Sequence, residues 1–152
     1  MPPFFDAQAL RRGRARALLA IFLAPTANKP MSTPRISVVI PLHNEERLIP
    51  TLLARTVAAL TPVTNEFEIV CVDDGSTDNG PALLAAYRAT DARLKVVRLS
   101  RKFGHQAAYT AGLSYAKGEF VAMMDGALQG PPELLAAMYR RLSEGTHDVV
   151  YG

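Results

Sequence analysis

Four times after Pro34, a short apolar run gives way to a polar turn and then to a stretch with helical spacing. Residues 36–41 (Ile-Ser-Val-Val-Ile-Pro) are mostly β-branched and short, as in a buried strand. Residues 45–60 follow, with Leu48, Leu52, Val57 and Leu60 at near-helical intervals. Asn44 is placed to cap that helix, with Glu45 and Glu46 favourable in its first turn. The unit then recurs. A strand over 67–72 precedes a helix opening at Thr77 or Asp78, and a strand over 95–99 precedes a helix over 104–116 that Lys117-Gly118 ends. A strand over 119–124 precedes a helix after Pro131, lined by Leu134, Leu135, Met138 and Leu142. A fifth strand starts at 148–151. Such alternation predicts an α/β fold: right-handed crossovers give a mostly parallel sheet with helices on both faces.

The chain has 152 residues, 49% apolar and 20% charged, which suits one globular domain. That domain is assigned to residues 34–152, and residues 1–33 are read as an extension, disordered or loosely helical. The apolar run 17–24 follows an Arg-rich stretch in the order of a targeting segment, but it is too short to span a bilayer. Met31 is an alternative start. The net charge of +3 misleads. Arg11, Arg12, Arg14, Arg16 and Lys29 face only Asp6 in the extension, so the remainder is slightly acidic. A nucleic-acid-binding domain is basic on its folded part, and nucleic acid is therefore not an expected partner. The lone Cys71 excludes an internal disulfide and reads as an inert thiol inside a strand.

The chemistry gathers at strand ends. In Val70-Cys71-Val72-Asp73-Asp74-Gly75-Ser76-Thr77-Asp78 an apolar run stops at two carboxylates, a glycine and a Ser/Thr/Asp cluster. Ligands of open α/β sheets bind at that end of the strands. Burying two unpaired charges is costly, so these acids are expected in a site and not in the core. Pro41-Leu42-His43-Asn44-Glu45-Glu46 and Met124-Asp125-Gly126-Ala127-Leu128-Gln129 end two other strands. Parallel strands put all three clusters on one rim, with Asp74 and Asp125 on the same side. The turn Ser100-Arg101-Lys102-Phe103-Gly104-His105-Gln106 joins them, and Arg101, Lys102 and the following helix N-terminus suit a diphosphate. Neither a G-x-G-x-x-G after the first strand nor a P-loop is present. Acids beside a diphosphate make sense with a divalent cation between them. Simpler readings stand beside these. Asp73 ties down backbone, Glu46, Arg140 and Arg141 complement helix dipoles, His43 is solvated, and His105 caps a helix or touches phosphate.

Four segments carry a resemblance: Ile36-Ser-Val-Val-Ile-Pro-Leu-His-Asn-Glu-Glu, Val72-Asp-Asp-Gly-Ser-Thr-Asp, Ser100-Arg-Lys-Phe-Gly-His-Gln-Ala-Ala, and Met124-Asp-Gly-Ala-Leu-Gln-Gly-Pro-Pro-Glu. Together, in this order, they resemble family-2 glycosyltransferases, most of all those that move a sugar from a nucleotide donor to a polyprenyl phosphate, the dolichol-phosphate mannosyltransferase-like enzymes. The resemblance implies a GT-A-type fold and an inverting, metal-assisted transfer from a UDP- or GDP-sugar with Mg²⁺ or Mn²⁺. It places Pro41, His43 and Glu45 at the nucleotide, Val72 and Asp74 at base and ribose, and Asp125, Gly126 and Gln129 near the donor, with Asp125 on the metal. Two departures follow. Where the family has Asp-x-Asp and then Leu-Gln-Asp-Pro-Pro, this chain has Ala127 and Gly130, which weakens the metal site. The family's general base and acceptor site come from sequence after the fifth strand, so the resemblance implies the N-terminal, donor-binding half only, with the base beyond Gly152. A cytoplasmic place, at the cytoplasmic face of a membrane, goes with a lipid acceptor. The other reading is a non-catalytic nucleotide-binding relic or accessory fragment.

Overall fold

The computed structural model describes residues 20–23 and 33–152. Six strands form one sheet: β1 (Ala20–Leu23), β2 (Ile36–Leu42), β3 (Phe67–Asp73), β4 (Leu94–Arg98), β5 (Phe120–Met123) and β6 (Val149–Tyr151). The helices are α1 (Ile49–Leu60), α2 (Gly80–Thr90), α3 (His105–Tyr115) and α4 (Leu134–Ser143). The strand order is β4-β3-β2-β5-β1-β6. β2 pairs in parallel with β3 and β5, and β3 in parallel with β4, as alternating strands and helices require.

β1 differs from the sequence reading. Residues 1–33 were expected outside the domain, yet Ala20–Leu23 pairs antiparallel with β5 on one side and with β6 on the other. An unpaired strand edge offers a row of free N–H and C=O groups, and a four-residue apolar segment supplies partners for two strands at once. The rest of the extension, including the Arg-rich stretch, lies outside the described residues.

The β-branched strands give the sheet two apolar faces. Ile36, Val38, Ile40 and Leu42 pack with Leu52 and Leu60 of α1, Leu84 of α2, and Leu135, Met138 and Leu142 of α4. Val39, Val70, Val72 and Val121 point the other way, onto Ala108 of α3. So three helices cover one face and α3 covers the other, and the expected two-sided layering is present. The approach of α3 is close. A Cβ on Gly112 would lie 2.3 Å from Val39 Cγ1 and 2.8 Å from Val72 Cγ2.

Helix starts fall later than the sequence suggested. α1 begins after Leu48 with Pro50 in its first turn, where a missing N–H does no harm. Asn44 is not its cap, because its side chain is committed to Thr77, as described below. α2 likewise begins at Gly80 with Pro81 beside it. Arg55 of α1 donates to both carboxylate oxygens of Glu133 at 2.8 and 2.7 Å, which clamps the approach to α4 and holds the Glu133 carboxyl down at about 2.

At the end of the sheet where β2 and β3 begin, a buried carboxylate organises the strands. Ser37 Oγ and the Lys117 N–H donate to Glu68 Oε1 at 2.6 and 2.7 Å. Gly118 N–H donates to Ser37 Oγ at 2.7 Å, and the Lys95 ammonium pairs with Glu68 Oε2. The carboxylate joins β2, β3, β4 and the turn into β5, which fixes the start of the strand whose following loop carries Asp125. Glu68 sits where strand alternation faces it toward α3, and its paired partners make the burial tolerable.

Replacing Gly112 with Leu drives a side chain into Val39 and Val72. Overpacking of this kind costs about 1–3 kcal/mol. The urea midpoint of Gly112→Leu is expected to fall accordingly, and an unchanged midpoint would show that α3 does not seat on the sheet at this position.

Candidate functional site

The C-terminal ends of four parallel strands lie on one edge, with Leu42, Asp73 and Arg98 in register across β2, β3 and β4. β5 stops level with Val39, and the loop after it climbs to the same height, where Gly126 packs against the tip of β2. A Cβ on Gly126 would lie 2.6 Å from the Pro41 carbonyl oxygen and 2.4 Å from Leu42 Cδ2, so only glycine lets these loops touch.

The β2 and β3 loops are laced together. Asn44 takes a left-handed conformation (φ 54°), its N–H donates to Ser76 Oγ at 2.9 Å, and its Oδ1 accepts the Thr77 N–H at 2.8 Å. The Asp74 carbonyl can only accept, so His43 Nδ1 donates to it at 2.8 Å. Glu46 N–H donates to Asp78 Oδ2, while Glu46 Oε2 accepts the Asn79 N–H, at 2.9 and 2.8 Å. Glu46 thus bridges two loops, beyond the simple dipole effect read from the sequence. Glu45 lines an open groove here with Asn44, Arg47 and Thr77.

Both acids of the β3 tip are buried, contrary to the expectation from charge burial. Asp73 Oδ1 accepts the Ser76 N–H at 3.0 Å and closes the turn. Its Oδ2 makes no hydrogen bond, with Arg98 Nε 3.3 Å away. Asp74 reaches across the edge instead. Its Oδ1 accepts the Phe103 N–H at 2.7 Å and its Oδ2 the Gly104 N–H at 2.9 Å. These donors come from backbone some thirty residues away, which strand-by-strand reading does not reveal. Gly75 permits the approach: its φ is +65°, and a Cβ there would lie 2.4 Å from the Arg101 carbonyl carbon. The N-terminus of α3, expected to suit a diphosphate, has the Asp74 charge beside it on the two amides that precede the helix. Arg101 and Lys102 remain exposed, with the Arg101 guanidinium 4.2 Å above the Phe103 ring.

From that turn the chain leads directly to the second acid. His105 opens α3, and its Nε2 lies 3.9 Å from Asp125 Oδ2. Asp125 Oδ1 accepts the Ala127 N–H at 2.9 Å. Tyr109, one helical turn after His105, stacks edge to face on the imidazole at 5.8 Å. Its hydroxyl is pushed to a higher pKa by burial first and then by the Asp125 charge. Tyr109 was absent from the sequence reading, although its spacing from His105 was the signal that could have found it.

The predicted residues therefore separate. His43, Asp74, Arg101, Lys102, Asp125 and Gly126 share one edge. Pro41 is buried and presents its carbonyl to Gly126. Val72 is fully buried against α3, which leaves its side chain no path to a ligand. Gln129 is exposed on the loop past Ala127. Among the described residues no group of three His, Cys, Asp or Glu side chains is arranged to hold a metal, and no helix is long and apolar enough to cross a membrane. The open pocket lined by Arg35, Pro62, Tyr139 and Arg140 belongs to the opposite end of β2 and takes no part in this edge.

Four parallel strands with loops gathered in this way define a GT-A-type glycosyltransferase domain. It is similar to a mannosyltransferase from Pyrobaculum calidifontis solved in complex with GDP-Man and Mn²⁺, with a TM-score of 0.63, 28% identity, and 77% of this chain and 34% of that one covered. It is also similar to residues 1–349 of S. aureus TarS in complex with UDP, with a TM-score of 0.61, 32% identity, and 72% and 32% covered. The chain belongs to glycosyl transferase family 2, whose profile matches residues 37–152. An undecaprenyl-phosphate 4-deoxy-4-formamido-L-arabinose transferase of Pseudomonas aeruginosa is 43% identical over 123 residues, which cover 80% of this chain and 36% of that protein. An uncharacterized glycosyltransferase of Synechocystis sp. is 41% identical over 119 residues, covering 78% and 37%. The chain thus spans about a third of the length of the relatives it matches.

Removing the Asp74 carboxylate leaves two backbone donors without partners. Asp74→Ala is expected to destabilise the domain by about 2–6 kcal/mol, since each of the two unsatisfied groups costs about 1–3 kcal/mol. Amide exchange at Phe103 and Gly104 should accelerate with it. Slow exchange at both positions in the variant would show that the turn holds itself without Asp74.

Proposed function

We propose that this domain binds a nucleotide-diphosphate sugar along the C-terminal edge of its sheet and serves an inverting, metal-assisted transfer to a polyprenyl phosphate. The observation that carries the reading is the meeting of Asp74, the β4–α3 turn and Asp125 on that edge, in a chain of family 2. The relatives lend the chemistry: one is named for undecaprenyl phosphate, and others were solved with GDP-Man and with UDP. Base and ribose are assigned to the cleft beside Pro41, His43, Glu45 and Asp74, with Val72 forming the floor through its backbone. Arg101 and Lys102 face the diphosphate as exposed cations. Gly126 and Gln129 border the sugar side. A phosphate acceptor is ionised at neutral pH, so its oxygen attacks without a strong general base. Such an acceptor is a lipid, so the proposed work takes place at a membrane surface, for which the cytoplasmic face is our reading.

The residues fit a divalent cation held largely by the donor. With Oδ1 occupied by the Ala127 N–H, Asp125 keeps Oδ2 available, and one carboxylate with phosphate oxygens and water is a common Mg²⁺ arrangement. The cation, when bound, neutralises charge on the departing diphosphate. Ala127 withholds a second carboxylate, so the metal is held weakly. The same vacancy of charge, with Gly130, favours a second reading in which the chain binds nucleotide and transfers nothing.

Calorimetry with UDP- and GDP-sugars, with Mn²⁺ or Mg²⁺ and with chelator, tests the proposal. Weak binding that disappears with chelator is expected. Tight binding indifferent to chelator would overturn the metal assignment, and no binding of any nucleotide sugar would overturn the whole reading. Ala127→Asp should raise metal affinity about tenfold, or roughly 1.4 kcal/mol. Transfer of labelled sugar to undecaprenyl phosphate separates an enzyme from a binding module.

A further inference from the structure

An imidazole, that of His105, lies 3.9 Å from the free oxygen of Asp125. We propose that His105 stands in for the carboxylate that Ala127 lacks, so that His105 Nε2 and Asp125 Oδ2 together hold the cation of the bound nucleotide diphosphate. This rests on the nucleotide-sugar reading above and assigns the metal a ligand from α3, outside the β5 loop.

Three observations carry it. The two atoms are 3.9 Å apart, too far for a hydrogen bond. Two ligands each about 2.1 Å from one metal lie roughly 3.0–3.4 Å apart at octahedral or tetrahedral angles, so a small side-chain rotation closes the pair on an ion. Secondly, the Ala127 N–H holds Asp125 Oδ1, which turns Oδ2 toward His105, and Oδ2 accepts no hydrogen bond among the described residues. Thirdly, the imidazole is 64% exposed and rests on the Tyr109 ring, so it is supported on one side and open to a ligand on the other. Its position on α3 is in turn set by the Phe103 and Gly104 amides bound to Asp74.

The exchange of a carboxylate for an imidazole has a chemical consequence. Oxygen ligands suit Mg²⁺, whereas imidazole nitrogen favours the later first-row ions. The site should therefore prefer Mn²⁺, Co²⁺ or Zn²⁺ over Mg²⁺ by more than an all-carboxylate site would. The site also carries one negative charge fewer, so its affinity leans on the diphosphate of the donor.

Electron spin-echo spectroscopy of Mn²⁺ bound with UDP reads the ligand directly. Protein labelled with ¹⁵N-histidine separates an imidazole nitrogen from a nitrogen of the base. Histidine coupling is expected in the native chain and its loss in His105→Asn, with Mn²⁺ affinity in the presence of UDP falling about tenfold and Mg²⁺ affinity much less. Adding Ala127→Asp to His105→Asn should restore affinity without restoring the coupling. Mn²⁺ and UDP bound with no histidine coupling, or His105→Asn unchanged in metal preference, would overturn the inference and leave the nucleotide-sugar reading standing. Failure to bind UDP or GDP with any metal would overturn both.

Discussion

A carboxylate removed from water must be given hydrogen-bond donors, and Asp74 takes two from the backbone of the β4–α3 turn. That one group fixes several things. It draws the Phe103–Gly104 turn over the tip of β3, where Gly75 leaves space for it. It sets where α3 begins and places a negative charge at the helix N-terminus, the end that welcomes one. It thereby presents His105 to Asp125 from the neighbouring helix. Arg101 and Lys102 stay outside this bonding and remain exposed.

The rest of the edge is built by the same means, with side chains of one loop binding backbone of another. Asn44, Glu46, Ser76 and Asp78 each bridge the β2 and β3 loops. Gly126 admits the β5 loop to the tip of β2. The distant Glu68 pairs with Ser37, Lys95 and the turn into β5, so both ends of the parallel strands are pinned by a buried carboxylate. A sheet pinned at both ends offers a stiff rim, as the donor-binding role proposed above requires. Proteins solved with GDP-Man or with UDP share this fold over about a third of their length. In this chain the β5 loop carries Asp125 with Ala127 two residues on, and His105 faces that acid.

Much of the fold was legible in the amino-acid order. Residues 36–41 and 67–72 are β-branched and apolar, and they form strands because little else accommodates them. The Leu and Met spacing after Pro131 marked α4, and the four ordered segments pointed to the family that the profile match identifies. Helix starts were less legible. Asn44 has the chemistry of a cap, but its side chain is taken by Thr77, and α1 begins after Leu48 instead. The acids of the β3 tip are recognisable as special and expected in a site and not in the core, because sequence shows a charge and hides the amides that bury it.

Local order in the chain determined which segments are strands and helices, that β2, β3, β4 and β5 run parallel, and that polar loops lie along their C-terminal edge. These follow from side-chain periodicity and the handedness of crossovers, which act over a few residues at a time. Tertiary structure alone decided that Ala20–Leu23 fills a place between β5 and β6, that Asp74 binds the β4–α3 turn, and that His105 faces Asp125. Each of those depends on groups brought together from far along the chain. Such meetings are set by packing and by the need to satisfy buried polar atoms, and neither is written in neighbouring residues.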